Sequence, residues 1–148
     1  MKILFLCVGN TCRSPMAEGI LKNKISKVKL KKIKVRSCGI SAEDGSPANP
    51  FALSVCAENG IDLAGFKAQK FNRRLSSWAD VVICMTPNLK QSFKEEKFTD
   101  FTELYGLPPI ADPYGGTLED YRRAFYSINF ACELLVKDFL NGQNENKK

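Results

Sequence analysis

An α/β fold, with helices on both faces of a parallel sheet, is what this sequence predicts, and three observations carry the prediction. Short apolar runs of strand length alternate along the chain with longer segments of helical periodicity. A polar, glycine-containing loop joins the first strand to the first helix at Cys7–Arg13. The 148 residues, 44% of them hydrophobic, suffice for one buried core and are too few for two ordinary domains. The expected architecture is a three-layer sandwich, a central four-stranded parallel sheet flanked by helices.

Lys2 to Leu6 reads as the first, buried strand, and Ser14 and Pro15 suit the N-cap and first position of a helix running to about Lys27. Ile33 to Ser37 is the second strand, and Ala42 to Asn49, rich in small and turn residues, is a loop. A second helix runs from Pro50 to about Asn59, stopped by Gly60. Val81 to Met85 is the third strand, Pro87 to about Lys94 a helix, and Phe98 to Phe101 a weaker strand. In the last helix, Leu118 to about Leu140, the residues Leu118, Tyr121, Phe125, Ile128, Cys132, Leu135 and Phe139 recur in steps of three and four, the pattern of a face packed on the sheet. One domain over 1–140 is expected, with a polar tail, Asn141 to Lys148, that frays.

The chain contains six cysteines, no histidine and no secretory signal, which fits a reducing, cytoplasmic setting and disfavours a disulfide scaffold. Cys7 and Cys12 have no second close pair, so no metal site is expected, and neither a Cys-His nor a Ser-His arrangement is available. The net charge of +6 is concentrated between Lys22 and Arg36, where eight basic residues meet no acidic one. Without interleaved aromatics this run reads as a solvated face able to attract anions rather than a nucleic-acid surface, and no segment is long enough to cross a membrane.

Cys7 is the residue on which the chemistry turns. Of the six cysteines only Cys7 has arginine six residues on; Cys12, Cys38, Cys56, Cys84 and Cys132 have Glu18, Asp44, Asp62, Lys90 and Asp138 there. The Cys-x5-Arg run coincides with a strand-to-helix junction, where backbone N–H groups converge on an anion and a negative sulfur is favoured by the helix dipole and by Arg13. Gly9 permits tight curvature, and Ser14 can donate to the sulfur. Cys7 is thus a nucleophile for a phosphorus held in front of it. The leaving group needs a proton, and Asp112, in Ala111-Asp112-Pro113-Tyr114-Gly115-Gly116, is the best-placed donor, able afterwards to activate water.

These two motifs, with Val35-Arg36-Ser37-Cys38-Gly39 and Ala79-Asp80-Val81-Val82-Ile83-Cys84-Met85, resemble the low-molecular-weight protein-tyrosine-phosphatase family over nearly the whole chain. The resemblance implies the family's Rossmann-like, phosphotyrosine phosphatase I type fold. It implies a protein phosphatase working through a cysteinyl-phosphate, with Cys7 the nucleophile, Arg13 the phosphoryl clamp and Asp112 the general acid and base. The cradle is then Val8, Gly9, Asn10, Thr11, Cys12, Arg13 and Ser14; Asn10, Ser14 and Ser37 hold it by hydrogen-bonding one another; and Tyr114 is an aromatic pocket wall. No cofactor is implied. The partners are a phosphorylated protein or peptide and, as product, inorganic phosphate, and the protein is expected to act as a monomer.

The sequence also departs from the family pattern. Phe66 stands where many members have a histidine, removing a hydrogen bond that would support the loop. Tyr114 stands without a second tyrosine, and the aromatic expected near Ala42 to Asp44 is absent, which predicts a more acidic and open entrance. Thr11, where tyrosine-directed members have a bulky apolar residue, resembles the branch acting on phosphoarginine, so phosphotyrosine and phosphoarginine both stand as substrates. Cys12, five residues after Cys7 on one tight loop, is a candidate redox partner for it. The alternatives are a thioredoxin-coupled arsenate reductase, which needs two further cysteines on a neighbouring segment, and a non-catalytic phosphate-binding module.

Overall fold

In the computed structural model, which describes residues 1–146, β1 (Lys2–Cys7) pairs in parallel with β2 (Lys34–Gly39) on one side and β3 (Val81–Cys84) on the other. β4 (Phe98–Asp100) adds to β3, so the order is β2-β1-β3-β4 with every pair parallel. The chain winds to one side of β1 and then crosses to the other. In open sheets this reversal leaves a crevice at the carboxyl ends of the strands, and Cys7 ends β1 there.

Alternation along β1 divides the core. Ile3, Phe5 and Cys7 face a layer built by α1 (Arg13–Lys27), α2 (Pro50–Glu58) and α6 (Leu118–Asn146). Leu4 and Leu6 face the other, where Leu75 of α3 (Arg73–Trp78), Val82 and Phe98 pack with Phe71 and Phe93. The stripe on α6 faces the core: Tyr121, Phe125, Ile128, Cys132 and Leu135 are all buried. No described helix is long and apolar enough to cross a membrane.

The sheet and the principal helices lie where the sequence puts them, with local differences. α1 begins at Arg13, with Cys12 as its N-cap, so Ser14 is inside the first turn; its hydroxyl serves Cys7 instead of capping the helix. α4 (Pro87–Gln91) stops before Lys94 because Phe93 turns inward to stack on Phe98, ring centroids 4.2 Å apart. The strand expected through Phe101 ends at Asp100, whose side chain caps α5 (Phe101–Tyr105) by accepting from the Glu103 amide. The polar segment after Leu140 does not fray at once. α6 continues to Asn146, since an established helix propagates at little cost per residue. Residues 147–148 of the expected tail lie outside the described residues.

Candidate active site

The loop after β1 is held by its outward-facing carbonyls. Those of Cys7, Val8 and Thr11 accept from the amides of Ile40, Ser41 and Asn49 at 2.8–2.9 Å, and that of Cys12 opens the bonding of α1 at Met16. Among the described residues the amides of Gly9, Thr11, Cys12 and Arg13 have no acceptor within the protein, while the Asn10 amide donates to Cys7 Sγ at 3.1 Å. Loop N–H groups without a protein acceptor, beside a sulfur and at a helix start, are available to an anion.

Asn10 keeps this shape. It is fully buried and left-handed at φ 56°, a conformation asparagine tolerates better than most residues. Its Nδ2 donates to Ser14 Oγ at 2.9 Å and Ser37 Oγ at 3.0 Å, and its Oδ1 accepts from the Gln69 amide at 2.9 Å. Ser14 Oγ, receiving that bond, lies 2.7 Å from Cys7 Sγ and has its own hydrogen free for the sulfur. Asn10, Ser14 and Ser37 therefore meet as the sequence suggests, with Asn10 as the hub.

Gln69 was not anticipated. Besides its amide, its Nε2 donates to the Ser37 carbonyl at 3.0 Å, and its carbonyl accepts from Gly39 N at 3.0 Å. Phe66 packs half-buried on the core and donates no side-chain hydrogen bond to the loop. Nothing in the local sequence marks Gln69, because its role depends on a loop brought over from beyond α2. Gly39 is readable in hindsight as a glycine ending a strand beside the loop: a Cβ on it would stand 2.5 Å from the Val8 carbonyl and 2.9 Å from the Asn10 amide.

Arg13 is buried at the start of α1; its Nη1 donates to the Ile110 carbonyl at 3.0 Å and its Nη2 lies 3.4 Å from Asp112 Oδ2. The second motif is thereby brought over the loop. Asp112 remains half exposed and accepts from the Tyr114 amide at 3.1 Å. Together they enclose a cavity of about 310 Å³, lined by the whole segment from Cys7 to Arg13 with Asp112 and Tyr114. Thr11 Oγ1 lies over Gly9, 3.6 Å from where a Cβ would be. Neither Glu43 nor Asp44 lines the cavity itself, and Asp44 Oδ1 accepts from the Lys70 amide at 2.8 Å.

Cys12 also faces the cavity, with its sulfur 3.3 Å from the hydroxyl of Tyr121. Burial, against the opposing effect of that hydroxyl, raises the Cys12 thiol above the ordinary cysteine value. Sequence periodicity shows Tyr121 only as part of a core stripe. The other cysteines offer no relay: Cys84 and Cys38 are buried on one side of the sheet, and Cys132 and Cys56 on the other. Burial pushes Cys56, Cys84 and Cys132 each up to about 12, so they are inert thiols at neutral pH.

The family model for low molecular weight phosphotyrosine protein phosphatase matches residues 2–146. A protein-arginine-phosphatase from Geobacillus stearothermophilus is 39% identical over 131 residues, 83% of this chain and 85% of the relative. A probable low molecular weight protein-tyrosine-phosphatase, EpsP, from Ralstonia nicotianae is 35% identical over 139 residues, 90% of this chain and 92% of the relative. Among solved structures, the YwlE arginine phosphatase from Geobacillus stearothermophilus superposes with a TM-score of 0.89 at 34% identity, covering 97% of this chain and 96% of that one.

Proposed function

This chain belongs to the low molecular weight phosphotyrosine protein phosphatase family, and from that premise we propose that it removes phosphate from arginine side chains of proteins, with Cys7 as nucleophile and Asp112 as general acid and base. Membership makes it a phosphomonoester-hydrolase type enzyme acting on phosphoproteins by cysteine chemistry; an arsenate reductase is not favoured. The residue roles and the preference for arginine are our reading of the site.

In this mechanism the phosphoryl oxygens lie among the amides of Val8 to Ser14, with the guanidinium of Arg13 against them. Cys7 Sγ attacks phosphorus, the bond from phosphorus to the leaving nitrogen breaks, and Asp112 delivers its proton to that nitrogen. Asp112, now a carboxylate, takes a proton from water, whose oxygen attacks the cysteinyl-phosphate. The S–P bond breaks, and inorganic phosphate and the free cysteine sulfur are restored. Preorganised donors stabilise the transition state because they need not reorient as charge develops, and the Asn10 hub keeps them so.

The observation that carries the arginine reading is Thr11, whose hydroxyl lies over Gly9 at the cavity rim. A guanidinium leaving group brings several N–H donors into the mouth of the site, and a hydroxyl accepts one where a bulky apolar side chain would leave it unpaired. The Geobacillus relative carries the same assignment in its name. Phosphotyrosine is the second reading, favoured by the exposed ring of Tyr114 on the cavity wall and by the name of the Ralstonia relative. The test is the ratio of kcat/KM on phosphoarginine and phosphotyrosine peptides for the wild type and for Thr11→Ile. We expect the substitution to lower the arginine-to-tyrosine ratio by roughly tenfold or more. An unchanged ratio returns the assignment to phosphotyrosine.

A further inference from the structure

Beside the catalytic cavity lies an open groove of about 420 Å³, walled by Asn49 to Phe51 at the start of α2, by Tyr114 to Gly116, and by Tyr121. Tyr114 belongs to both hollows, so one aromatic ring divides them. The groove has no charged residue in its lining. It offers apolar surface instead: Phe51 is 40% exposed and Tyr114 74% exposed, and Phe51 meets Tyr121 edge-on at 5.4 Å.

Both sides of the groove are fastened to the catalytic machinery. On one, the Asn49 amide donates to the Thr11 carbonyl at 2.8 Å and Asn49 Oδ1 accepts from the Phe51 amide at 2.9 Å, tying Phe51 to the phosphate-binding loop. On the other, the Tyr114 amide donates to Asp112 and the Gly116 amide to the Pro113 carbonyl at 2.8 Å. A Cβ on Gly116 would stand 2.5 Å from Asp120 Oδ2 and 2.9 Å from the Pro113 carbonyl, so glycine is what lets this turn close. Such a surface is held in place before anything binds to it.

We propose that this groove receives an apolar or aromatic side chain one or two positions from the phosphorylated residue of the substrate polypeptide. The polypeptide is the occupant that continuity with the cavity requires, because a residue inserted past Tyr114 leaves its own chain lying across the rim. Neighbours one or two places away stand about 3–7 Å along an extended chain, far enough to step over a single ring. An uncharged aromatic lining rewards an apolar neighbour and leaves an acidic or basic one without a partner. The proposal rests on the phosphoprotein-phosphatase reading and adds a preference for sequence context.

The experiment compares two peptides that differ only in having Phe or Ala beside the phosphorylated residue, each made in phosphoarginine and phosphotyrosine forms, with a small aryl phosphate as third substrate. Wild-type protein is expected to favour the Phe-flanked peptide in kcat/KM by about tenfold, the value of partly burying one such side chain. Phe51→Ala should abolish that preference while leaving aryl phosphate hydrolysis unchanged, and Phe51→Leu should keep part of it. Equal kcat/KM on the two peptides by the wild type, in whichever phosphorylated form is hydrolysed, overturns the proposal without any need of a variant. Loss of activity by Phe51→Ala on all substrates alike overturns it too, because it marks a structural role. Hydrolysis of only one phosphorylated form bears on the arginine reading and leaves the flanking comparison intact within that form.

Discussion

Replacing Gly39 by alanine adds a single methyl group outside the catalytic cavity, yet it should disable the site more than it destabilises the fold. The added Cβ would stand 2.5 Å from the Val8 carbonyl oxygen, 2.9 Å from the Asn10 amide and 3.0 Å from Ala42 Cβ. Restoring an ordinary separation of about 3.4 Å requires the Val8 carbonyl to retreat by roughly 0.9 Å. That carbonyl is already bonded to Ser41 N at 2.9 Å and the Asn10 amide to Cys7 Sγ, so the loop moves as a piece. Misplacing reacting groups by about 1 Å costs on the order of 100-fold in rate, whereas one methylene of overpacking costs about 1–3 kcal/mol of stability. At this chain length that is a fall in Tm of roughly 3–10 °C. We expect Gly39→Ala to lower kcat/KM on an aryl phosphate about 100-fold, to weaken competitive inhibition by inorganic phosphate, and to remain folded at 25 °C. Gly65→Ala, whose Cβ would meet nothing within 4 Å, is the control and should match the wild type. Wild-type kinetics in Gly39→Ala would refute the idea that β2 templates the loop.

Asp112→Asn should lower kcat by roughly 100-fold to 10,000-fold on substrates with poor leaving groups, and much less on activated aryl phosphates, which a leaving-group series will measure. Equal losses on both would place the proton donor elsewhere. Mild peroxide should convert Cys7 to a sulfenic acid whose oxygen leaves as water when the Cys12 thiol attacks, giving a disulfide that thiols reverse. Because burial raises the Cys12 thiol, the attacking thiolate becomes more abundant as pH rises, so capture should be faster at pH 8 than at pH 6. Mass spectrometry showing irreversible Cys7 sulfinic acid and no linkage to Cys12 would reduce Cys12 to loop packing.

Period and punctuation made the framework legible. β1 and β3 announce themselves as short apolar runs, and the stripe from Leu118 to Phe139 marks the helix that covers the sheet. Cys7, Arg13 and Asp112 stood out as candidates for a different reason: a thiol at a strand end, an arginine at the start of the following helix and an acid before proline have few other uses in combination. Two short helices were missed. Each is too brief to show a period, although Asn72 and Asp100 do cap α3 and α5 by accepting from Leu75 N and Glu103 N. Gln69 and Tyr121 were not visible as parts of the site because their roles arise from tertiary placement: one closes the Asn10 network from a loop, the other reaches Cys12 from across the core. Ser14 shows the limit of a local rule, since a good capping residue was claimed by a sulfur seven positions earlier.

The position of β1 between β2 and β3 has a consequence for how a new chain becomes active. The strand that ends in Cys7 precedes the other three strands of the sheet in the sequence, so its two neighbours are made after it, and parallel neighbours cannot form by a hairpin. Until β3 has emerged, one edge of β1 lacks its partner, and until Ile110 and Asp112 have followed, Arg13 lacks the carbonyl and carboxylate that hold it. Slow pairing between distant segments is the expected course of assembly for such a topology. On the mechanism proposed above, Cys7 becomes a competent nucleophile only once the segment carrying Ile110 and Asp112 has closed over Arg13.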